Sequence, residues 1–135
     1  MYHNILIPIV FDSEHRHERA RAAAASLSAP DAKITFLHVL ETLPTYVVAY
    51  IPEQASERLR AEMNVEMQSL IKDIPGARGE IINGHSGRAI IDFASKNLAD
   101  LIIVESHRPG FGDYFLGSTA AYIVRRASCA VHVIK

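Results

Sequence analysis

Residues 105–119 carry the side chains whose types and spacing best suit the binding of a phosphate. The segment reads ESHRPGFGDYFLGST and joins the most apolar strand-like stretch of the chain to a predicted helix start. Free N–H groups at a helix start attract anions, and a glycine such as Gly117 lets a phosphate approach the backbone closely. Ser118 and Thr119 can add hydroxyl hydrogen bonds, and Arg108 can supply a bidentate cation. The same features fit a capped helix after a surface loop, so both interpretations stay open.

Other candidate motifs in the chain do not support a catalytic or metal site. Gly112 to Thr119 has the spacing of a P-loop, but Ser118 stands where the lysine is required. The turn at 84–87 lacks one residue of a nucleophile elbow, so Ser86 is predicted to be the N-cap of the next helix. The seven histidines are scattered, and no spacing of histidine, cysteine or carboxylate residues indicates a metal site. We therefore assign no catalytic residue and no protein-bound metal.

The elements that must position these residues alternate between strands and helices. Strands are predicted over 4–10, 33–40, 79–82, 100–104 and 130–134, and helices over 14–28, 53–73, 89–98 and 117–126. A turn is predicted at Pro30-Asp31, and a loop over 41–52. This order predicts one α/β domain over 1–135, a doubly wound fold whose five-stranded parallel sheet has helices on both faces. Ligands bind such sheets beyond the carboxyl ends of the strands, where the strand order reverses.

Composition narrows the classes of partner and the compartment. The chain has 135 residues, 49% of them hydrophobic and 21% charged, with a formal net charge of −1 and no dense basic block. This argues against duplex nucleic acid or an anionic membrane as the main partner. The single cysteine cannot form an internal disulfide, no stretch approaches the roughly 20 apolar residues of a membrane span, and the first residues lack the basic region of a signal peptide. These features predict a cytoplasmic protein.

Taken together, several stretches resemble the universal stress protein family, and the resemblance covers the whole chain. They are the opening Ile5-Leu6-Ile7-Pro8, the strand end His38-Val39, Ala99-Asp100-Leu101-Ile102-Ile103-Val104, Leu116-Gly117-Ser118-Thr119-Ala120 and Val131-His132-Val133. The loop Ser106-His107-Arg108-Pro109 resembles the short bacterial branch that has S-H-R-P at this place. The combination of motifs is specific for the family.

The resemblance implies five parallel strands, a homodimer joined through the last strand at 130–134, and an adenine nucleotide site. In the ATP-binding members, the pattern G-x2-G-x9-G-[ST] surrounds the phosphates, and a loop after the first strand and the end of the second strand hold the ribose and adenine. Carried over, it implies that ATP, with Mg²⁺ on its phosphates, binds to Pro8, Ile9, Val10, Asp12, Val39, Ser106, His107, Arg108, Gly117, Ser118 and Thr119.

The chain also departs from the family pattern, which leaves two functions open. Glu105 and Arg108 occupy the places of the first two glycines, and Val10 that of a usual aspartate, for which Asp12 is the candidate substitute. Glu105 would repel a triphosphate if its side chain turned inward, whereas Arg108 would attract one. The first hypothesis is a stress-response regulator that binds ATP with little or no hydrolysis; the second is a dimeric interaction module that binds no nucleotide. An adenylating or other ATP-consuming enzyme is the weakest option, because we find no candidate base or second substrate domain.

Overall fold

Five parallel strands form one sheet in the order β3-β2-β1-β4-β5. The computed structural model describes residues 1–11, 17–106 and 116–135. The strands are β1 (Tyr2–Pro8), β2 (Ser28–Glu41), β3 (Ala77–Gly84), β4 (Leu101–Glu105) and β5 (Ala130–Ile134). Each pair of neighbours is parallel. The predicted five-stranded α/β fold is confirmed.

The helices cover both faces of this sheet. They are α1 (Glu18–Leu27), α2 (Thr45–Val48), α3 (Glu53–Ile71), α4 (Ser86–Lys96) and α5 (Ser118–Arg126). Helices α1 and α3 pack on one face, against a cluster that includes Ile103, and α4 and α5 pack on the other, against a cluster that includes Ile102. Successive strand residues point to opposite faces, so a strand covered on both sides reads as an unbroken apolar run.

Two local predictions were wrong because prolines were interpreted as breaks in the secondary structure. The predicted turn at Pro30-Asp31 lies within β2, where a bulge in the pairing with β1 falls between Ser28 and Lys33. Both turn residues are exposed, and a bulge tolerates a residue that cannot donate to the ladder. The predicted loop over 41–52 contains α2, and its prolines, Pro44 and Pro52, directly precede the first turns of α2 and α3. A helix start makes no intrahelical use of the N–H that proline lacks.

The strand order reverses between β1 and β4. The chain moves outward from β1 to β2 and β3, and then crosses back to β4 and β5 on the other side. Ile5 pairs with Leu101 and Leu6 with Ile102, so Pro8 and Glu105 end within about one residue of the same level. The loops after β1 and β4 depart in opposite directions, which opens a crevice between them. Within the described ranges, no helix is long and apolar enough to cross a membrane.

Candidate functional site

A cleft of about 190 Å³ opens at the carboxyl edge of the sheet, at this reversal. It is lined by eight residues that the sequence had assigned to a ligand site: Pro8, Ile9, Val10, Val39, Ser106, Gly117, Ser118 and Thr119. The other three assigned residues, Asp12, His107 and Arg108, lie outside the described residues. Sequence reasoning had not assigned the other lining residues, which are His17, Leu37, His38, Ser86, Ile90, Val104, Glu105 and Ala120.

The start of α5 forms the wall of the cleft next to the end of β4. The N–H groups of the first turn of α5 have no intrahelical acceptor, as at every helix start. Gly117 is the N-cap and has no side chain that could accept from them. A Cβ added to Gly117 would meet, among the described atoms, only the carbonyl oxygen of Ser106 at 3.7 Å, an ordinary contact. The backbone angles of Gly117, φ −55° and ψ 153°, are open to any residue. Among the described residues, neither packing nor backbone conformation therefore requires glycine here, whereas an anion seated on the helix start would need the space.

Ser106 holds the end of β4 to the end of β5. Its N–H donates to the carbonyl oxygen of Ile134 at 2.8 Å, and its hydroxyl donates to the same oxygen at 3.1 Å. The side chain is buried. Because its hydroxyl hydrogen is used within the protein, Ser106 can offer a ligand only an acceptor through its hydroxyl.

Two histidines hold the backbone that follows β1. Nδ1 of His38 donates to the carbonyl oxygen of Ile9 at 3.0 Å, and Nε2 of His17 donates to that of Val10 at 2.9 Å. The donors follow from the acceptors, since a carbonyl oxygen can only accept. The ring of Phe11 packs on His38, with the ring centroids 4.8 Å apart. The floor of the cleft is thus held from β2 on one side and from the start of α1 on the other.

His17 also faces the side chain of Glu105. This buried histidine, 6% exposed, is the N-cap of α1 and adopts a left-handed backbone conformation with φ 54°. Its Nδ1 lies 3.7 Å from Oε2 of Glu105, a distance that forms an ion pair when the imidazole is protonated. The Glu105 side chain is 15% exposed. Its carboxylate is therefore turned towards α1, which the sequence alone did not settle.

Ser86 is not the N-cap of α4, and that prediction was wrong. Ser86 is the first residue of the helix and His85 is its N-cap. The N–H of Ser86 donates to Oε1 of Glu41 at 3.1 Å, and its hydroxyl donates to the same oxygen. These two hydrogen bonds, with a smaller contribution from His85, hold the pKa of Glu41 below its usual value of 4.5. A carboxylate from the end of β2 thus takes the capping role, and Ser86 is left as a wall residue.

The opposite edge of the sheet, where the strands begin, has a hollow of a different character. A cavity of about 270 Å³ at the opposite edge is lined by mostly small and apolar residues, including Cys129. Burial raises the pKa of the Cys129 thiol, which keeps it neutral and unreactive. Within the described part of the chain, no group of three or more histidine, cysteine, aspartate or glutamate residues is arranged to hold a metal ion.

A parallel sheet of this order, with an open helix start and a cleft at its reversal, defines a doubly wound α/β domain. The sequence model of the universal stress protein family matches residues 1–135, and the chain belongs to that family. It is 27% identical over 126 residues to the universal stress protein in the QAH/OAS sulfhydrylase 3′ region of Thermus aquaticus, a match that covers 91% of this chain and 92% of the relative. It is also 27% identical to universal stress protein G of Salmonella typhimurium, over the whole of both chains.

Solved structures share the same fold. Hypothetical protein MJ0577 superposes with a TM-score of 0.83 at 22% identity, over 100% of this chain and 96% of that one. A universal stress protein solved in complex with cAMP has a TM-score of 0.61 at 19% identity, over 99% and 97% of the two chains. One from Archaeoglobus fulgidus, solved in complex with dAMP, has a TM-score of 0.69 at 16% identity, over 99% and 98%. At these identities the likeness establishes the fold, and the nucleotides are ligands of those proteins.

Proposed function

We propose that this protein binds an adenine nucleotide, ATP in the first place, in the cleft at the carboxyl edge of the sheet, and acts as a cytoplasmic stress-response regulator with little or no hydrolysis. The observation that carries the proposal is the start of α5. An uncapped helix start adjoins the cleft, and its glycine is required neither by its backbone conformation nor by packing against any described residue. Two proteins of the same fold were solved with adenine nucleotides, which supports this choice of ligand.

The residues present fit such a ligand in one orientation. The phosphates would lie on the N–H groups of the first turn of α5, with the hydroxyls of Ser118 and Thr119 as further donors. Adenine would lie against Val39 at the end of β2, and the sugar over the backbone at 8–10. His107 and Arg108 follow Ser106 in the sequence, and we propose that they add positive charge near the phosphates. Magnesium would then be held by phosphate oxygens and water rather than by protein carboxylates.

We also propose a homodimer joined through β5. This strand is at the edge of the sheet and is paired on one side only, with β4. An unpaired strand edge is a site for further pairing, and a second copy related by a two-fold axis would cover it. The surface in question comprises residues 130–134.

The alternative is a dimeric interaction module that binds no nucleotide. It is favoured by Glu105, whose carboxylate lines the cleft and would repel phosphate groups, and by Val10, which exposes an apolar side chain there. In that case the open start of α5 would be only a structural connection.

Titration calorimetry of the full chain with ATP, ADP and AMP, each with and without Mg²⁺, distinguishes the two. We expect saturable binding of the adenine nucleotides and weaker binding of GTP, which serves as the control for base recognition. Nucleotide extracted from the purified protein would be independent support. No heat with ATP and Mg²⁺ up to millimolar concentration would exclude the nucleotide-binding function. Hydrolysis at tens of turnovers per second would contradict the proposed lack of turnover.

A further inference from the structure

Glu105 is the one acidic side chain among the described residues that line the cleft. It ends β4, directly before Ser106. Ser106 adjoins the start of α5, where its carbonyl oxygen is 3.7 Å from the position of a Cβ on Gly117. Glu105 faces His17 at the start of α1. The carboxylate is therefore turned towards His17, which also contacts the backbone that follows β1.

His17 lies between the two strand ends, and it pairs with Glu105 when its imidazole is protonated. One ring nitrogen is bonded to the carbonyl oxygen of Val10 and the other faces Oε2 of Glu105 at 3.7 Å, with the imidazole buried between them. The side chain thus links the two strand ends between which the crevice opens.

The chemistry of a carboxylate at this place is selective. It accepts hydrogen bonds and repels anions, so it suits hydroxyl groups and not phosphate oxygens. With phosphates on α5 and the base at Val39, the sugar of a nucleotide passes over the ends of β1 and β4. A vicinal diol there would present two O–H donors to one carboxylate.

We propose that Glu105 accepts hydrogen bonds from the ribose hydroxyls of the bound nucleotide, and that His17 is the positioning residue that aims it. This inference rests on the proposed function and adds to it a specificity, because the cleft then prefers ribonucleotides over sugars that lack the hydroxyls.

The test compares AMP with 2′,3′-dideoxyadenosine 5′-monophosphate by calorimetry on the full chain. The wild type should prefer AMP about tenfold or more, the usual value of a hydrogen bond to a charged group. In Glu105→Ala the preference should fall towards one, because AMP binds more weakly while the dideoxy compound binds as before. Glu80→Gln, which removes a carboxylate of β3 outside the cleft, is the matched control and should keep the full preference.

A variant of His17 tests the positioning role. His17→Ala should lose most of the preference for AMP, and His17→Gln, which retains an N–H donor, should recover part of it. Because the preference is a ratio for two ligands on one protein, a general loss of stability does not imitate the effect. If the His17 variants do not fold, the Glu105 variant decides the matter.

Each contrary outcome has a distinct meaning. Equal gains in affinity for both ligands in Glu105→Ala would show that the carboxylate only repels phosphate, and equal losses would show a purely structural role; either result overturns the inference. Binding of AMP by the wild type without a preference over the dideoxy compound would overturn the inference and leave the proposed function standing. Failure of every adenine ligand to bind the wild type would overturn both.

Discussion

Replacing Gly117 with serine should raise the stability of the protein while it weakens the binding of ATP. The backbone at Gly117 is in a region open to all residues, and its Cβ would make only an ordinary contact of 3.7 Å with the carbonyl oxygen of Ser106. Serine is a better N-cap than glycine, because its hydroxyl accepts from the second or third N–H of the helix. The free energy of unfolding should therefore rise by a few tenths of a kcal/mol, about 0.3.

The effect on ATP has the opposite sign for the same reason. The N–H groups that the serine hydroxyl would satisfy are those proposed to bind the phosphates. Loss of one hydrogen bond to a charged group costs about 1.5–3 kcal/mol, which corresponds to roughly ten- to a hundredfold weaker binding. Adenosine has no phosphate, so its affinity should not change.

Calorimetry with ATP and adenosine measures the change in affinity, and chemical denaturation of the same samples measures the change in the free energy of unfolding. Gly117→Val is the steric extreme and should abolish ATP binding, at a cost in stability of at most about 1 kcal/mol from the poorer cap. Should folded Gly117→Ser and Gly117→Val bind ATP as the wild type does, the phosphates do not lie on the start of α5.

Three further predictions concern the edge strand, the cap of α4 and the packing of α3. Val131→Lys should convert the dimer to a monomer in sedimentation experiments, and a wild-type protein that sediments as a monomer at micromolar concentration would refute the dimer. Glu41→Gln should lower the melting temperature at pH 7. Because the pKa of Glu41 is depressed by its bonds to Ser86, this difference should vanish as the pH falls from 4.5 through the lowered pKa; a difference that is constant with pH would contradict the cap. Gly79→Ala would place a Cβ 2.1 Å from Cγ of Met67 and should cost about 1–3 kcal/mol of stability. Met67→Ala in the same chain should relieve that clash, so additive effects in a double-mutant cycle would argue against this packing.

The fold was predictable because its central strands are covered on both faces. The run from Leu101 to Val104 is buried at every position, so it shows no alternation, and helical patterns before and after it indicate a parallel sheet. The open edge of that sheet then follows from topology, which is why Gly117 could be expected beside the strand ends. Each of these inferences uses only neighbouring residues and general rules of connection.

The histidines of the site could not be found in this way, because their partners depend on strand register. His38 and Ile9 are 29 positions apart, and they meet because Pro8 pairs with Leu37. Nothing in either segment alone fixes that pairing. The same holds for Ser86, because its hydrogen-bond acceptor is the carboxylate of Glu41, which is 45 positions away in the sequence.

The departures from the family pattern at Val10 and Glu105 can be explained together, because the structure places both residues next to His17. The resemblance to the family had suggested an aspartate at Val10 and a glycine at Glu105, and each departure by itself reads as damage to a nucleotide site. The two positions lie at the ends of adjacent strands, and one imidazole contacts both, through the Val10 carbonyl oxygen and the Glu105 carboxylate. In the proposed role of Glu105, this chain has a carboxylate on the β4 side of the crevice, whereas the family pattern has one on the β1 side. A lost site would require no such support, whereas a buried histidine in a left-handed conformation is a conformational cost that a positioned carboxylate would explain.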